Sequence, residues 1–481
     1  MTLKLLCALA VAAAAAAPDL TSSATADEWS RFRGPNGSGI SAAKDLPTEF
    51  GPEKNLVWKL ELPQGHSSPI LFRDRIYLTG FREKDLLTFA LTTDGKLAWE
   101  TTLSGLATPP VDKRNNAASP SPAVDASGVY VFFHDFGLVA YDLNGKERWR
   151  MPLGPFINVY GMGASPIIVG DLVILAADQS VGSYILAVDK NTGRQRWKTM
   201  RPEAKSGHST PIVWTNPRGK QEILLPGSFL LTSYDPETGR KNWWVSGLSF
   251  EMKSVPVIAR VGFPAAETIF VNGYGSGENE PGREVRPPDT KTAFASDANK
   301  DGRLDKAEIP TEHAKSWLDF MDLDRDGSLS PNEWDYYRDA LASKNGMLAF
   351  RLGGEGDMSA KNLRWEYRRQ VPQLPSPLVY GGALYMVNDG GIVTTLNPET
   401  GAVLKQGRIP GAIDRYYASP VAGDGKVYMT SEKGKIAVLQ PGGSLEPIAV
   451  NDVGEDCYAT PALADGRIYV RSRGTLFAFG R

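Results

Sequence analysis

The sequence predicts an all-β protein of eight similar units, because two landmarks recur along it at a nearly constant spacing. The first is a tight turn in which a tryptophan follows a glycine by four residues, at Gly95/Trp99, Gly145/Trp149, Gly193/Trp197 and Gly239/Trp243, with fainter copies at Gly401 and near Trp365. The second is a small residue before a proline that opens a strand, at Ser68, Ser121, Ser165, Thr210, Val255, Ser376, Ser419 and Thr460. Proline is tolerated there because the first residue of a strand needs no ladder N–H.

The spacing of these prolines indicates four short strands per unit. Consecutive prolines are 53, 44, 45, 45, 121, 43 and 41 residues apart. A period of about 45 residues is typical of propeller blades. The step of 121 residues is one period of 45 plus an insertion of about 76 residues.

The last unit, residues 458–481, has room for only three strands. The isolated strand 56–62, which precedes the first unit, would complete it. Closing the ring with strands from both chain ends removes the exposed sheet edges that an open array would present. The sequence therefore predicts an eight-bladed β-propeller closed by an N-terminal strand, with a turn-rich segment at 27–54 and blades over 55–274 and 346–481.

The repeated turn resembles a known family. Residues 187–197 read Ala-x-Asp-x-x-Thr-Gly-x-x-x-Trp. Repeated around eight units, this pattern resembles the pyrroloquinoline quinone (PQQ)-like β-propeller repeat, found in quinoprotein alcohol dehydrogenases and in the propeller lipoprotein of outer-membrane protein assembly. The stretch 29–39 is similar to the start of many exported members. The resemblance implies that the tryptophans dock between blades, where each indole removes about 150–250 Å² from water.

The insertion, residues 275–345, predicts a small α-helical module with two calcium ions. It contains two twelve-residue loops that resemble EF-hand loops, with oxygen ligands at positions 1, 3, 5, 9 and 12, a backbone carbonyl at 7 and glycine at 6. The expected ligand residues are Asp297, Asn299, Asp301, Arg303, Asp305 and Glu308 in the first loop, and Asp322, Asp324, Asp326, Ser328, Ser330 and Glu333 in the second. Leu304 and Leu329 are placed to join the loops through a β-bridge, and residues 309–321 are expected to form one helix.

A candidate pocket follows from the register of the repeat. The residue three positions before each strand-opening proline varies: His66, Ser119, Gly163, His208, Lys253, Leu374, Tyr417 and Tyr458. We expect these positions to ring the channel mouth, with His66, His208, Lys253, Tyr417 and Tyr458 as a pocket for a small polar ligand. The alternative is that these side chains only satisfy loop backbones. The insertion separates the second and third strands of the fifth blade, so we expect the module on the same face.

The ends and the charge of the chain bear on its location. Residues 1–26 are typical of a signal peptide, with Lys4, a short apolar run and the cleavage pattern Ala24-Thr25-Ala26. We therefore expect export to the periplasm or beyond, with no transmembrane segment. The net charge of −2 argues against nucleic-acid binding.

Two functions remain open at this stage. The first is an exported binding or scaffold protein with calcium-binding EF-hands, whose partner is a cell-envelope protein or a small polar ligand. The alternative is a quinone-dependent oxidoreductase acting on alcohols or sugars. The resemblance implies that such an enzyme needs adjacent cysteines, calcium ligands at the quinone and an aspartate base. The sequence has no adjacent cysteine pair, and only Cys457 remains after cleavage, so PQQ is not expected.

Overall fold

The structure is a computed structural model that describes residues 29–108, 112–262 and 264–481. The predicted signal peptide lies outside these residues. The fold is the predicted eight-bladed propeller, and each blade is an antiparallel sheet with a four-strand meander as its body. The predicted fold class is confirmed.

Blades 1 to 4 contain, in order from the channel outwards, Ile70–Phe72, Arg75–Arg82, Asp85–Thr92 and Leu97–Leu103; Ala123–Asp125, Gly128–Phe133, Gly137–Tyr141 and Glu147–Pro152; Ile167–Val169, Leu172–Ala177, Tyr184–Asp189 and Gln195–Met200; Ile212–Thr215, Gln221–Gly227, Leu230–Tyr234 and Lys241–Ser246. Blades 5 to 8 contain Val257–Val261, Ala266–Gly273, Gly346–Arg351 and Leu363–Tyr367; Leu378–Tyr380, Ala383–Val387, Val393–Leu396 and Val403–Gly407; Val421–Gly423, Lys426–Thr430, Lys435–Leu439 and Pro447–Asp452; Ala462–Ala464, Arg467–Arg471, Thr475–Phe479 and Leu56–Glu61. A short strand, Gly356–Asp357, adds in parallel to the outer edge of blade 4.

The helical elements are short. The α-helices are Thr290–Ala293, Glu312–Ser316, Leu318–Met321, Pro331–Ala342 and Ser359–Asn362; the 3-10 turns are Pro35–Gly37, Gly277–Asn279 and Phe294–Ser296; the loop-joining strands are Leu304–Asp305 and Ser328–Leu329.

The ring closes as predicted. Leu56–Glu61 pairs antiparallel with Thr475–Phe479, with Leu56 opposite Phe479 and Glu61 opposite Thr475. Both chain ends therefore share blade 8, and the last sheet obtains its fourth strand from the start of the propeller.

Five tryptophans seal seams between blades, whereas Trp243 donates its indole N–H to Glu222 of its own blade at 2.8 Å. The Trp149 indole lies on Gly193 of the next blade, where an added Cβ would be 2.7 Å from the ring. Gly193 also has φ 69°, which only glycine adopts without strain. The Trp149 indole N–H donates to the Lys190 carbonyl at 2.9 Å. The same arrangement occurs at four other seams, with donors Trp58, Trp99, Trp197 and Trp365 and acceptor carbonyls of Thr93, Leu143, Pro236 and Pro398.

The small residues before the strand-opening prolines form a hydrogen-bonded belt around the channel. In each case the hydroxyl accepts from the backbone N–H of the equivalent residue in the preceding blade. The pairs are Ser68–Ser121 at 2.8 Å, Ser121–Ser165 at 2.9 Å, Ser165–Thr210 at 3.0 Å, Val255–Ser376 at 2.9 Å, Ser376–Ser419 at 2.9 Å, Ser419–Thr460 at 3.0 Å and Thr460–Ser68 at 3.0 Å. The belt is interrupted between Thr210 and Val255, because valine has no hydroxyl.

The N-terminal segment runs across the channel. Residues 29–40 contact the first strands of five blades. These contacts are Trp29 with Leu71, Ser30 with Val124, Asn36 with Val213, Arg33 with Pro377 and Ile40 with Ala422. The Arg33 side chain is buried and donates to the Pro377 carbonyl at 2.7 Å. This segment therefore closes the channel and gives the cavity at its mouth a floor.

Candidate functional site

One cavity of about 180 Å³ lies at the channel mouth. All eight varying positions line it, including the five residues of the candidate pocket: His66, His208, Lys253, Tyr417 and Tyr458. Each blade thus contributes one residue from the same place in its repeat. Phe32 of the N-terminal segment also lines this cavity.

One wall of the cavity is an aromatic stack from three consecutive blades. The His66 and Tyr458 rings are 4.5 Å apart and inclined by 9°. The Tyr458 and Tyr417 rings are 5.3 Å apart, also at 9°. The Tyr458 hydroxyl donates to Glu432 Oε1 at 2.9 Å, which fixes the central ring. The stack gives the wall a rigid surface with low conformational entropy.

Another part of the cavity lining combines an arginine with aromatic rings. Arg114 makes a two-pronged ion pair with Asp112, with Nε–Oδ1 and Nη2–Oδ2 distances of 2.8 Å each. The Arg114 guanidinium lies 5.6 Å from the centroid of Tyr160, whose ring is 6.3 Å from that of His208. Sequence reasoning did not select Arg114, Asp112 or Tyr160, because they lie in loops outside the repeat register. The first proline step, about eight residues longer than the period, was the available signal for the Arg114 loop.

Lys253 is held in a buried ion pair. Its ammonium contacts Glu251 and donates to the Tyr274 carbonyl at 3.1 Å, and the two side chains are 4% and 2% exposed. The Ser206 hydroxyl donates to the other Glu251 oxygen at 2.8 Å. Removing one member of such a pair leaves an uncompensated buried charge, which is strongly destabilising.

The two histidines are neutral and incompletely bonded. Burial lowers the pKa of His66 to about 3 and that of His208 to about 4. Nδ1 of His66 and Nε2 of His208 are buried and have no hydrogen-bond partner among the described residues. A neutral imidazole nitrogen either donates or accepts, so each ring can bind a polar ligand group.

The two predicted calcium loops lie side by side in the module. Leu304 pairs with Leu329, which is the predicted bridge. In the second loop, carboxylate oxygens of Asp322, Asp324 and Glu333 all lie within 4.8 Å of one another. In the first loop, Asp297 accepts from the Gly302 N–H at 3.0 Å, as Asp322 does from Gly327 at 2.8 Å in the second. These oxygen-only donor sets fit a hard divalent cation such as calcium.

The predicted single helix at 309–321 is wrong. The structure has two helices, Glu312–Ser316 and Leu318–Met321. Thr311 caps the first helix by accepting from the Ala314 N–H at 3.1 Å. The two helices are separated at Trp317, whose N–H donates to the Ala314 carbonyl three residues back instead of four. The Trp317 ring packs 6.0 Å from that of Phe250. The contact with the propeller accompanies this departure from the regular helix.

The module stands at the mouth, on the face expected from its place in blade 5. Phe250 contacts Trp317 and also Phe320, at 5.5 Å. Phe229 packs edge-on against Tyr336 of the helix Pro331–Ala342, with ring centroids 6.2 Å apart. Phe250 is three residues from Lys253, so one loop contacts both the module and the cavity.

Together these features define a PQQ-type propeller with an EF-hand insertion and a polar cavity at its mouth. A family model described as outer membrane protein assembly factor BamB, built of PQQ-type repeats, matches residues 51–158, 118–273 and 341–481. The chain belongs to this family. An EF-hand family model matches residues 314–335.

Solved structures show the same fold at low identity. BamB from Moraxella catarrhalis is 14% identical, with a TM-score of 0.56 over 89% of this chain and 97% of the other. A europium-containing methanol dehydrogenase is 11% identical, with a TM-score of 0.58 over 95% and 98%. The quinohemoprotein alcohol dehydrogenase from Comamonas testosteroni is 13% identical, with a TM-score of 0.59 over 95% and 81%. The search of curated proteins returned no match. No helix in the described part of the chain combines the length and apolar character needed to cross a bilayer.

Proposed function

We propose that this protein is an exported, calcium-binding propeller that acts as a binding or scaffold protein, with a small polar ligand at the channel mouth. The observation that carries the proposal is the mouth cavity, which gathers one residue from each blade. Two of these residues, His66 and His208, keep an unpartnered buried ring nitrogen among the described contacts. Unpaired buried polar atoms cost free energy, so a ligand that bonds them is favoured.

The proposed calcium sites use the oxygen ligands of both loops. In each loop, the side-chain oxygens at positions 1, 3 and 5 and the bidentate glutamate, Glu308 or Glu333, would hold one ion, with Arg303 and Ser328 supplying backbone carbonyls. Calorimetric titration should show two ions per chain. At a hundredfold excess over Kd, each occupied calcium site should stabilise the fold by about 2.7 kcal/mol. Glu308→Gln and Glu333→Gln should each remove one ion, whereas unchanged stoichiometry would contradict the assignment.

The ligand proposal is tested on protein purified from the periplasmic fraction. Native mass spectrometry should show a bound small molecule on the wild type, and His208→Phe should lose it because the ring nitrogen is gone. His313→Phe is a matched control, because His313 lies in the insertion module and outside the cavity lining. A mass excess that both variants retain would place the molecule elsewhere.

The scaffold role is supported by the family description, which refers to outer-membrane protein assembly. We infer a protein partner in the cell envelope. A pull-down from the periplasmic fraction, with calcium or with chelator, should recover a partner only when the module is loaded. Recovery of the protein in the cytoplasm would contradict export.

A quinone-dependent oxidoreductase is the second candidate. The aromatic stack of His66, Tyr458 and Tyr417 favours it, because a planar ligand can stack on such a surface. Against it, Cys457 is buried, and burial raises the pKa of its thiol to about 12. Incubation with quinone and calcium, followed by a dye assay with alcohols or sugars, separates the candidates. Turnover would favour the enzyme.

A further inference from the structure

Arg303 belongs to the first calcium loop, yet its side chain lies in the second. Its Nη2 contacts Asp326 Oδ2 and is 3.7 Å from Asp324 Oδ1 and 3.8 Å from Glu333 Oε2. Its Nε donates to the Ser328 hydroxyl at 2.6 Å. The guanidinium therefore faces three carboxylates of the second loop.

The bridge between the loops explains this reach. Leu304 pairs with Leu329 and Asp305 with Ser328, so Arg303 starts beside the second loop. The equivalent residue of the second loop is Ser328, whose short side chain bonds its own neighbour Asp326 at 2.8 Å. The exchange of side chains is therefore one-sided. Only the second loop receives a cation from its partner among the described contacts.

The same three carboxylates are ligands for calcium in the proposed second site. A guanidinium and a calcium ion are both positive, so they compete for these oxygens. We propose that Arg303 is a tethered cation that opposes calcium binding at the second loop. This inference rests on the calcium binding proposed above.

The same contact has a second consequence without calcium. Asp324, Asp326 and Glu333 repel one another when no cation lies between them. Arg303 reduces this repulsion and stabilises the metal-free module. Removing its charge should therefore weaken the metal-free fold and tighten calcium binding, two effects of opposite sign. A residue that only packs would not produce both.

The test uses the full chain in a Glu308→Gln background, which leaves the second loop as the calcium site. Calcium alone is titrated by calorimetry into this variant and into the same variant with Arg303→Gln. Because the Arg303 side chain is a third exposed, its ion pairs are partly screened. We expect Kd to fall about two- to fivefold. Arg303→Gln keeps the backbone carbonyl of residue 303, which is the group that this residue would supply to the first calcium site.

The matched control is Arg325→Gln, an exposed arginine of the same loop. It removes the same net charge outside the carboxylate cluster, and we expect less than a twofold change in Kd. Melting curves in chelator provide the second readout, with a lower midpoint for Arg303→Gln only. Equal tightening by both variants would mean a net-charge effect and would overturn the proposal.

The outcomes separate the two claims. Calcium uptake by the wild type with an unchanged Kd in Arg303→Gln overturns the role of Arg303 and leaves calcium binding intact. Uptake at the second loop only after Arg303→Gln supports the role in its strongest form. No uptake by any variant overturns both.

Discussion

The seams and the mouth of the propeller use the repeat in different ways. At the seams, five blades place the same residue, tryptophan, against the same kind of turn in the next blade. At the mouth, the eight blades place six kinds of residue at one equivalent position. A constant residue at a repeated position stabilises the ring, whereas a varied one builds a site with its own chemistry. The following predictions test this contrast.

The largest effect is expected at a seam. Trp197 is 8% exposed and donates to the Pro236 carbonyl at 2.8 Å. Trp197→Ala should lower the free energy of unfolding by roughly 3–5 kcal/mol, because it leaves a large cavity between blades 3 and 4. Chemical denaturation with calcium present measures it.

Gly239→Ala tests the same seam by changing the blade 4 turn on which the Trp197 ring lies. An added Cβ would lie 2.4 Å from the Trp197 ring. This variant should also destabilise strongly, whereas Ser104→Ala at an exposed site should not. A small effect of Trp197→Ala would contradict the claim that the tryptophans between the blades stabilise the fold.

At the mouth, the expected effect is a dependence of the free energy of unfolding on pH. His208 has a pKa of about 4 in the fold against an ordinary value of 6.5. The unfolded ring takes a proton below pH 6.5 while the folded ring stays neutral, so stability falls as pH drops from 6.5 towards 4. Between pH 7 and 5 this group should cost about 2 kcal/mol.

Comparing wild type and His208→Asn at both pH values isolates this contribution. Chelator is present throughout, so calcium release does not contribute to the pH dependence. Identical slopes for the two proteins would show that His208 titrates normally and is not desolvated at the mouth.

The repeat explains which parts of this molecule were predictable. The fold and the mouth positions could be predicted from the sequence because the strand-opening proline recurs eight times and fixes which residues are equivalent in each blade. Arg114 and Tyr160 could not be named individually, because they lie in loops that no other blade repeats; the long first proline step indicates only that the Arg114 loop is extended. The channel-closing segment depends on contacts such as Asn36 with Val213, 177 residues apart, which no local pattern encodes. The break at Trp317 likewise accompanies a contact with Phe250, in the propeller.

A smaller effect is expected from the hydrogen-bonded belt around the channel. The Ser121 hydroxyl accepts from the Ser68 N–H at 2.8 Å, and both residues are buried. Ser121→Ala should cost about 1–2 kcal/mol, because it leaves a buried N–H without a partner. Thermal melts beside the exposed control Ser104→Ala measure it. A loss no larger than the control's would show that the belt is not a source of stability.

The smallest expected effect lies where the belt is interrupted. Val255 is 1% exposed and stands where the other blades have a hydroxyl, two residues after Lys253 of the cavity. Val255→Thr would offer an acceptor to the Thr210 N–H and should add about 0.5 kcal/mol, since a neutral hydrogen bond contributes little net stability. Because Val255 is not among the residues that line the cavity, ligand retention at the mouth should be unchanged. A destabilisation above 1 kcal/mol would mean that the Thr210 N–H is already satisfied and that blade 5 departs from the repeat here.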